Sequence, residues 1–146
     1  MHAEDGIDIA APADVVWRVY ADVERWPEWT ESVTEVDLDG DALAVGASAR
    51  IRQPKLPRAT WVVTELTPGR SWSWEARSPG AVTVGHHRVT PTADGASRAE
   101  LSIDQNGPLG ALVGRLVAGL TRRYLRMEAE GLKAASEAAA ASSGQP

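Results

Sequence analysis

Residues 11–29 read APADVVWRVYADVERWPEW, and this stretch decides the fold more than any other part of the chain. Pro12 suits the start of a helix, because its φ is fixed and its missing N–H needs no partner there. Asp14 follows in the first turn, where the helix dipole favours negative charge. Apolar residues then recur at helical spacing and predict one buried face: Val15, Val16, Val19 and Tyr20.

A pair of tryptophans around a proline ends the stretch. Pro27 disfavours the α conformation at Trp26, so the helix ends or kinks there and a second short helical turn follows before Trp29. These residues resemble the START-like superfamily, in its SRPBCC or polyketide cyclase/dehydrase branch. Members of that branch carry the patterns "aPaevVW" and "D...WP.W" after the first strand.

The resemblance extends over nearly the whole chain and implies an α+β helix-grip fold. In this fold a curved antiparallel sheet of seven strands wraps around a long C-terminal helix, and two short helices lie between strands 1 and 2. Members of the superfamily hold apolar or aromatic small molecules in a cavity between the sheet and that helix. We therefore expect such a cavity in this protein.

After Trp29 the apolar pattern changes to a period of two, which predicts extended strands separated by turns rich in Gly, Pro and Asp. In the fifth strand, Trp72 and Trp74 share a face that we expect to point at the last helix. In the seventh strand, Leu101, Ile103 and Gln105 are expected to face the same way. The predicted strands after the first cover residues 33–38, 49–53, 61–66, 71–77, 82–89 and 99–105.

The last helix is predicted to begin after Gly107 and Pro108. Its apolar residues keep helical spacing and are expected to form the inner wall of the cavity: Leu109, Leu112, Val113, Leu116, Val117, Leu120 and Tyr124. From Ala134 the chain is mostly Ala and Ser without an apolar stripe. We therefore expect a ligand-binding domain over residues 1–137 and a disordered tail over residues 138–146.

Length and composition bound the function. The 146 residues form one domain, large enough to bury roughly two-thirds of its unfolded surface. Without cysteine there is no disulfide framework, and no His, Asp and Glu spacing typical of a metal site occurs. A net charge of -5 with scattered basic residues argues against nucleic acid as a partner. We expect a cytoplasmic monomer or homodimer without signal peptide, membrane span, metal or cofactor.

The aromatic inventory is unusual, with six Trp and no Phe. One explanation is GC-rich coding, which disfavours Phe codons. The other is that broad indole faces line the site of an aromatic ligand and offer it an N–H donor. We assign Trp17 to the first explanation, and Trp26, Trp29 and Trp74 to the second.

Candidates for proton transfer are few. His86 and His87 are neighbours on one strand and point to opposite faces; with Gly85 as a plausible bulge, we expect His87 to face inward. Glu65 could act as an acid with a raised pKa if it faces the cavity.

Amides at Gln53 and Gln105 could fix a ligand's carbonyl or hydroxyl group. The predicted ligand contacts are Trp26, Trp29, Ile51, Gln53, Trp61, Trp74, His87, Gln105, Leu112, Leu116 and Leu120.

Three functions remain open at this stage. The first is binding of an apolar or aromatic small molecule without turnover. The second is a metal-free cyclase or dehydratase in which His87 or Glu65 moves a proton. The third is a regulatory domain that binds another protein, which requires a large exposed apolar patch. Aromatase/cyclase relatives place a tyrosine after the Trp-Pro pair and an arginine on the fourth strand, where this chain has Thr30–Val33 and Thr64–Glu65. We favour the binding function on that basis.

Overall fold

The computed structural model describes residues 1–143 and has the predicted helix-grip architecture. Two helices and a short 3₁₀ helix accompany the sheet: α1 (Ala13–Ala21), the 3₁₀ helix (Val23–Glu28) and α2 (Gly110–Ser143). The strands are β1 (His2–Ile9), β2 (Glu35–Leu38), β3 (Ser48–Arg52), β4 (Ala59–Thr67), β5 (Ser71–Ser78), β6 (Ala81–Ala93) and β7 (Ala96–Asn106). Both short helices lie between β1 and β2, as expected.

The seven strands form one antiparallel sheet in the order β1-β7-β6-β5-β4-β3-β2. Strands β2 to β7 follow one another as neighbours, and β1 pairs with β7 at the far edge. Between Val63 and Glu65 the pairing of β4 with β5 shifts by one residue. This bulge reverses which face the following residues of β4 point to.

The segment that begins α1 is held by backbone and side-chain contacts. Pro12 lies one position before the first helical residue, and its carbonyl accepts the N–H groups of Val15 and Val16, each at 3.1 Å. The Ser97 hydroxyl donates to the Ala11 carbonyl at 2.9 Å. These bonds tie the start of α1 to β7, so the buried face of the helix meets the sheet.

An aromatic cluster fills the core where α1 and the 3₁₀ helix meet the sheet. Tyr20 is completely buried, stacks on Trp26 and makes an edge contact with Trp72. The Trp26 indole donates to the Tyr20 carbonyl at 2.9 Å. This cluster forms the inner end of the space between the sheet and α2.

The N-terminal half of α2 differs from the prediction. Leu112 and Leu116 are 59% and 78% exposed, and Leu120 is half-buried, so this stripe does not pack on the sheet. The helix instead turns Val113, Val117 and Tyr124 toward the sheet, across an open gap. The apolar pattern of α2 allows either the predicted rotation, with Leu112 and Leu116 inward, or the observed rotation. Close contacts of Gly114 with the sheet select the observed one.

The C-terminal half of α2 packs tightly. Leu132 is completely buried, and Ala139 and Ala140 lie against the main core cluster. The expected disordered tail is therefore wrong for residues 138–143, which continue the helix, while residues 144–146 lie outside the described residues. Small Ala side chains can pack closely even though they form no conspicuous apolar stripe. No helix among residues 1–143 has the length and apolar composition needed to cross a bilayer.

Candidate functional site

A cavity of about 520 Å³ lies between the concave face of the sheet and α2. Strands β3, β4 and β7 supply Ile51, Trp61 and Ile103 to its walls, and α2 supplies Val113 and Val117. These side chains point inward because strand residues alternate between faces and because α2 crosses the open side of the sheet. The result is a largely apolar space between two layers.

The cavity continues inward into a chamber of about 50 Å³. Trp26, Trp74 and His87 line this chamber, and Glu128 from α2 lines both the chamber and the main cavity. Gly85 lies opposite Trp74 in the pairing of β5 with β6, which continues without a bulge. A Cβ at this position would lie 3.0 Å from the Trp74 Nε1, so Gly85 leaves room for the indole rather than bending the strand.

Glu128 is the one carboxyl group among residues 1–143 that is buried at this site. The Tyr20 hydroxyl donates a hydrogen bond of 2.5 Å to its Oε2. Burial raises the pKa of Glu128 to about 7, since the low-dielectric surroundings disfavour the charged form and the Tyr20 hydrogen bond offsets only part of that effect. Within the described chain Oε1 has no hydrogen-bond partner, and a ligand could occupy that position.

His87 is buried against the indole of Trp72, with ring centroids 4.0 Å apart and planes within 10°. Burial lowers the pKa of His87 to about 3, and the neighbouring His86 adds to that effect. Its Nδ1 lies 3.3 Å from the Trp72 carbonyl, which can only accept, so Nδ1 carries the proton and Nε2 is an acceptor. His87 is therefore a neutral imidazole with one fixed tautomer.

Polar groups surround the outer part of the cavity. Gln53 and Gln105 both line it, and the Gln105 amide donates to the Thr83 hydroxyl at 3.3 Å. The Tyr124 hydroxyl donates to the Pro54 carbonyl and so ties α2 to the loop between β3 and β4. The mouth thus carries amides and hydroxyls, whereas the walls behind it are apolar.

Seven of the predicted ligand contacts line the cavity or its inner chamber: Trp26, Ile51, Gln53, Trp61, Trp74, His87 and Gln105. Leu112, Leu116 and Leu120 do not line it, because the rotation of α2 turns them away. Trp29 does not line the cavity or its inner chamber either. It lines a separate surface groove between α1, the 3₁₀ helix and the C-terminal half of α2.

Glu65 does not face the cavity. Strict alternation after Trp61 and Val63 would turn it inward, but the bulge in β4 pairs Glu65 with Ser73 on the outer face of the sheet. There it is exposed and lines an open polar depression. The hypothesis that Glu65 transfers a proton in the cavity is therefore wrong, and the reason is one extra residue in the strand.

Sequence reasoning missed Glu128 and its partner Tyr20. The signal for Glu128 was present, since it follows Val117, Thr121 and Tyr124 at helical spacing and so extends the stripe that faces the cavity. An acidic residue on an apolar stripe marks a buried or functional carboxyl. Helical spacing places Tyr20 on the buried face of α1, but its hydrogen-bond partner lies 108 positions away and leaves no local signal.

A metal centre has no counterpart in the described part of the chain, where no group of three or more His, Asp or Glu side chains could hold an ion. The polar groups that line the cavity and its inner chamber are the Glu128 carboxyl, the His87 imidazole, the amides, the hydroxyls and the guanidinium groups of Arg58 and Arg77. Proton transfer and hydrogen bonding are the chemistry that these groups supply.

The fold is similar to several solved structures. The ZhuI aromatase/cyclase from Streptomyces sp. R1128 has a TM-score of 0.81 and 18% identity, covering 100% of this chain and 99% of that chain. Norcoclaurine synthase from Thalictrum flavum has a TM-score of 0.72 and 16% identity, covering 91% of both chains. A putative polyketide cyclase from Streptomyces halstedii is 34% identical over an alignment of 94 positions, which covers 60% of this chain and 73% of that protein.

Residues 1–137 match the family described as "Polyketide cyclase / dehydrase and lipid transport". The match includes the first strand, both short helices, the whole sheet and most of α2. On this match over most of its length, the chain belongs to the polyketide cyclase/dehydrase and lipid transport family.

Proposed function

We propose that this protein binds an apolar or aromatic carbonyl compound between its sheet and α2, and dehydrates it with Glu128 as the proton-transfer group. The observation that carries the proposal is the buried Glu128 carboxyl, whose pKa is raised to about 7 by burial at the inner end of a cavity with largely apolar walls. Perturbed carboxyl groups in clefts are typical of acid–base catalysis. Membership of a cyclase/dehydrase family supports the same chemistry.

The pKa values favour Glu128 over His87 as the proton carrier. Near neutral pH, a group with a pKa of about 7 is present in both protonation states, which is the condition for efficient acid and base catalysis. Burial lowers the pKa of His87 to about 3, so its imidazole is neutral at pH 7. His87 is therefore assigned the role of a neutral acceptor that orients the ligand.

The proposed step is the loss of water from a β-hydroxy ketone. The ionised Glu128 removes a proton from the carbon between the carbonyl and the carbinol, and that C–H bond becomes a C=C bond. The C–O bond of the carbinol then breaks, and the hydroxyl leaves as water with the proton that Glu128 returns. The hydrogen bond from Tyr20 holds Oε2, which leaves Oε1 for the substrate.

The lining of the cavity supports this substrate class. Apolar walls and the indoles of Trp26, Trp61 and Trp74 favour flat aromatic rings or conjugated chains. Amide donors at Gln53 and Gln105 suit carbonyl oxygens, because an uncharged amide loses little free energy when it is removed from water and then hydrogen-bonded.

The experiment follows dehydration of aromatic β-hydroxy ketones by the absorbance of the conjugated product. Glu128→Gln keeps the size of the side chain but removes the titrating group, so the rate should fall by about 10² to 10⁴. Glu130→Gln is the matched control, since Glu130 is exposed on the same helix. Equal rates in Glu128→Gln and wild type would refute the assigned role.

Binding without turnover is the second candidate, favoured by the apolar side chains that α2 and the β3–β4 loop present to the cavity: Leu56, Pro57, Val113 and Val117. A carrier needs such walls and no titrating group. If wild type binds the ketones tightly but converts none of the panel above the buffer rate, the carrier function is the better conclusion.

A further inference from the structure

The N-terminal half of α2 and the residue just before it present an exposed apolar surface, here called the leucine patch: Leu109, Leu112, Val113 and Leu116. Their exposed fractions are 49%, 59%, 41% and 78%. Among residues 1–143, Val45 is the one other large apolar residue that is exposed. Single exposed apolar residues are ordinary, but a contiguous group on one helix marks an interaction site.

The charge around the leucine patch opposes that of the whole chain. No acidic residue occurs between Asp104 and Glu128, whereas the chain as a whole has a net charge of -5. The arginines of this segment are Arg115, Arg122, Arg123 and Arg126. Arg126 pairs with Asp5 and Glu130, but the other three are exposed and have no ion-pair partner within residues 1–143.

Helical spacing places the leucine patch between two other surfaces of α2. On one side lie Val117 and Thr121, which line the cavity, and Val113 belongs both to the cavity wall and to the patch. On the other side lie Arg115 and Arg122, whereas Arg123 follows Leu116 by two turns on the same face. An object that covers the leucine patch would therefore also lie against the mouth of the cavity.

Close contacts on the opposite side of α2 hold the helix in this rotation. A Cβ at Gly114 would lie 2.6 Å from the Cβ of Met1 and 3.1 Å from the Gln105 Oε1. The glycine side of the helix thus lies directly against the sheet, and no larger residue would fit there. The leucines cannot turn inward without separating α2 from the sheet.

We propose that the leucine patch and the three unpaired arginines dock this protein on an anionic lipid bilayer, with the mouth of the cavity facing the lipid. Aliphatic side chains can enter the boundary between headgroups and acyl chains, while flanking arginines contact the phosphates. A bilayer needs no shape complementarity, which suits a patch without aromatic or hydrogen-bonding side chains. This inference goes beyond the proposed reaction and does not depend on proton transfer by Glu128.

A second copy of the chain fits this surface less well. A two-fold interface would bring the same patch from each copy together, and each copy would add three unpaired arginines to the contact. Like charges at an interface oppose association. Negatively charged lipid headgroups, by contrast, neutralise all three.

The test is co-sedimentation of the full chain with vesicles of phosphatidylcholine alone or mixed with phosphatidylglycerol. Wild type should bind the mixed vesicles, and binding should weaken at about 0.5 M NaCl because salt screens exposed charges. Leu112→Gln combined with Leu116→Gln should weaken binding by about tenfold or more. Arg122→Gln and Arg123→Gln should each weaken it about fivefold.

Val45→Gln is the control, because it removes an exposed apolar side chain away from the patch. Its vesicle binding should equal that of wild type. The proposal is overturned if wild type binds neither vesicle at low salt, or if the leucine double variant binds as well as wild type. Leucine-dependent dimerisation in sedimentation velocity without vesicle binding would also overturn it, and would assign the patch to a second copy.

Discussion

The carboxyl of Glu128 and the imidazole of His87 line the same inner chamber, and burial moves their pKa values in opposite directions. In both cases burial disfavours the charged form, because neither group has an opposite charge close enough to compensate for lost hydration. The pKa of Glu128 rises to about 7 and that of His87 falls to about 3. Both groups therefore make the stability of the fold depend on pH.

For Glu128 the direction follows from proton binding. Between its unfolded pKa of about 4.5 and its folded pKa of about 7, the folded protein holds a proton that the unfolded chain has lost. Its contribution to stability is therefore fully present below pH 4.5 and is lost as the pH rises through 7. Glu128→Gln lacks this dependence. Between pH 5 and pH 8 the free energy of unfolding of wild type, measured relative to that of Glu128→Gln, should therefore fall by about 2 to 3 kcal/mol.

Urea unfolding followed by tryptophan fluorescence at the two pH values measures this difference. The contribution of His87 is the same in both proteins and cancels in the comparison. Glu130→Gln, an exposed change on the same helix, should run parallel to wild type. Parallel curves for Glu128→Gln and wild type would mean that Glu128 is not held in a low-dielectric site.

At the scale of elements, α2 has two halves with different roles. The first half crosses the cavity and leaves the leucine patch exposed, whereas the second half packs Leu125, Ala129 and Leu132 into the core. A single continuous helix can do both because Gly114, Leu125 and Ala129 lie against the sheet, while Val117 and Thr121 on an adjacent face line the cavity. The stability of the protein should therefore depend mainly on the second half.

Leucine-to-alanine changes in the two halves test this division. Leu116→Ala should cost less than about 0.5 kcal/mol, since the side chain is 78% exposed and Ala favours helix. Leu132→Ala should cost about 2 to 5 kcal/mol, because it leaves a cavity in a fully buried site. Urea unfolding measures the free energy of unfolding of both variants. A loss above about 1 kcal/mol for Leu116→Ala would show that the leucine patch is covered in solution.

At the scale of the whole molecule, the sheet, the short helices and α2 together enclose the cavity, and tryptophans line its inner end. Trp26 and Trp74 line the inner chamber, while Trp29 lies in a separate groove. A ligand that binds the folded state alone stabilises it by mass action. Ligand binding should therefore be visible both in tryptophan emission and in thermal stability.

An apolar fluorescent probe, 8-anilinonaphthalene sulfonate, should quench tryptophan emission and stabilise the fold by about 2.7 kcal/mol at a hundredfold excess over its Kd. Trp74→Leu should weaken probe binding more than it weakens folding, because it removes an indole from the chamber. Trp29→Leu, outside the cavity, should bind the probe as wild type does. Equal affinities in Trp74→Leu and wild type would place the probe elsewhere.

Much of the fold could be predicted from the sequence, because its signals are local. Pro12 and Asp14 mark the start of α1, and the alternation of Trp72 and Trp74 identifies the inner face of β5. His87 on β6 is buried as expected, but the bulge expected at Gly85 is absent. Periodicity and turn residues depend on neighbours in the chain, so one sequence is enough to interpret them.

The candidate site depended on contacts that only the tertiary structure decided. The bulge in β4 turned Glu65 outward, and close packing at Gly114 set the rotation of α2 that exposes Leu112 and Leu116. A pattern of apolar residues shows which face can be buried, but not which part of it meets a partner. The pKa of Glu128 is likewise set by desolvation and by a tyrosine 108 positions away, and neither can be inferred from its neighbours in sequence.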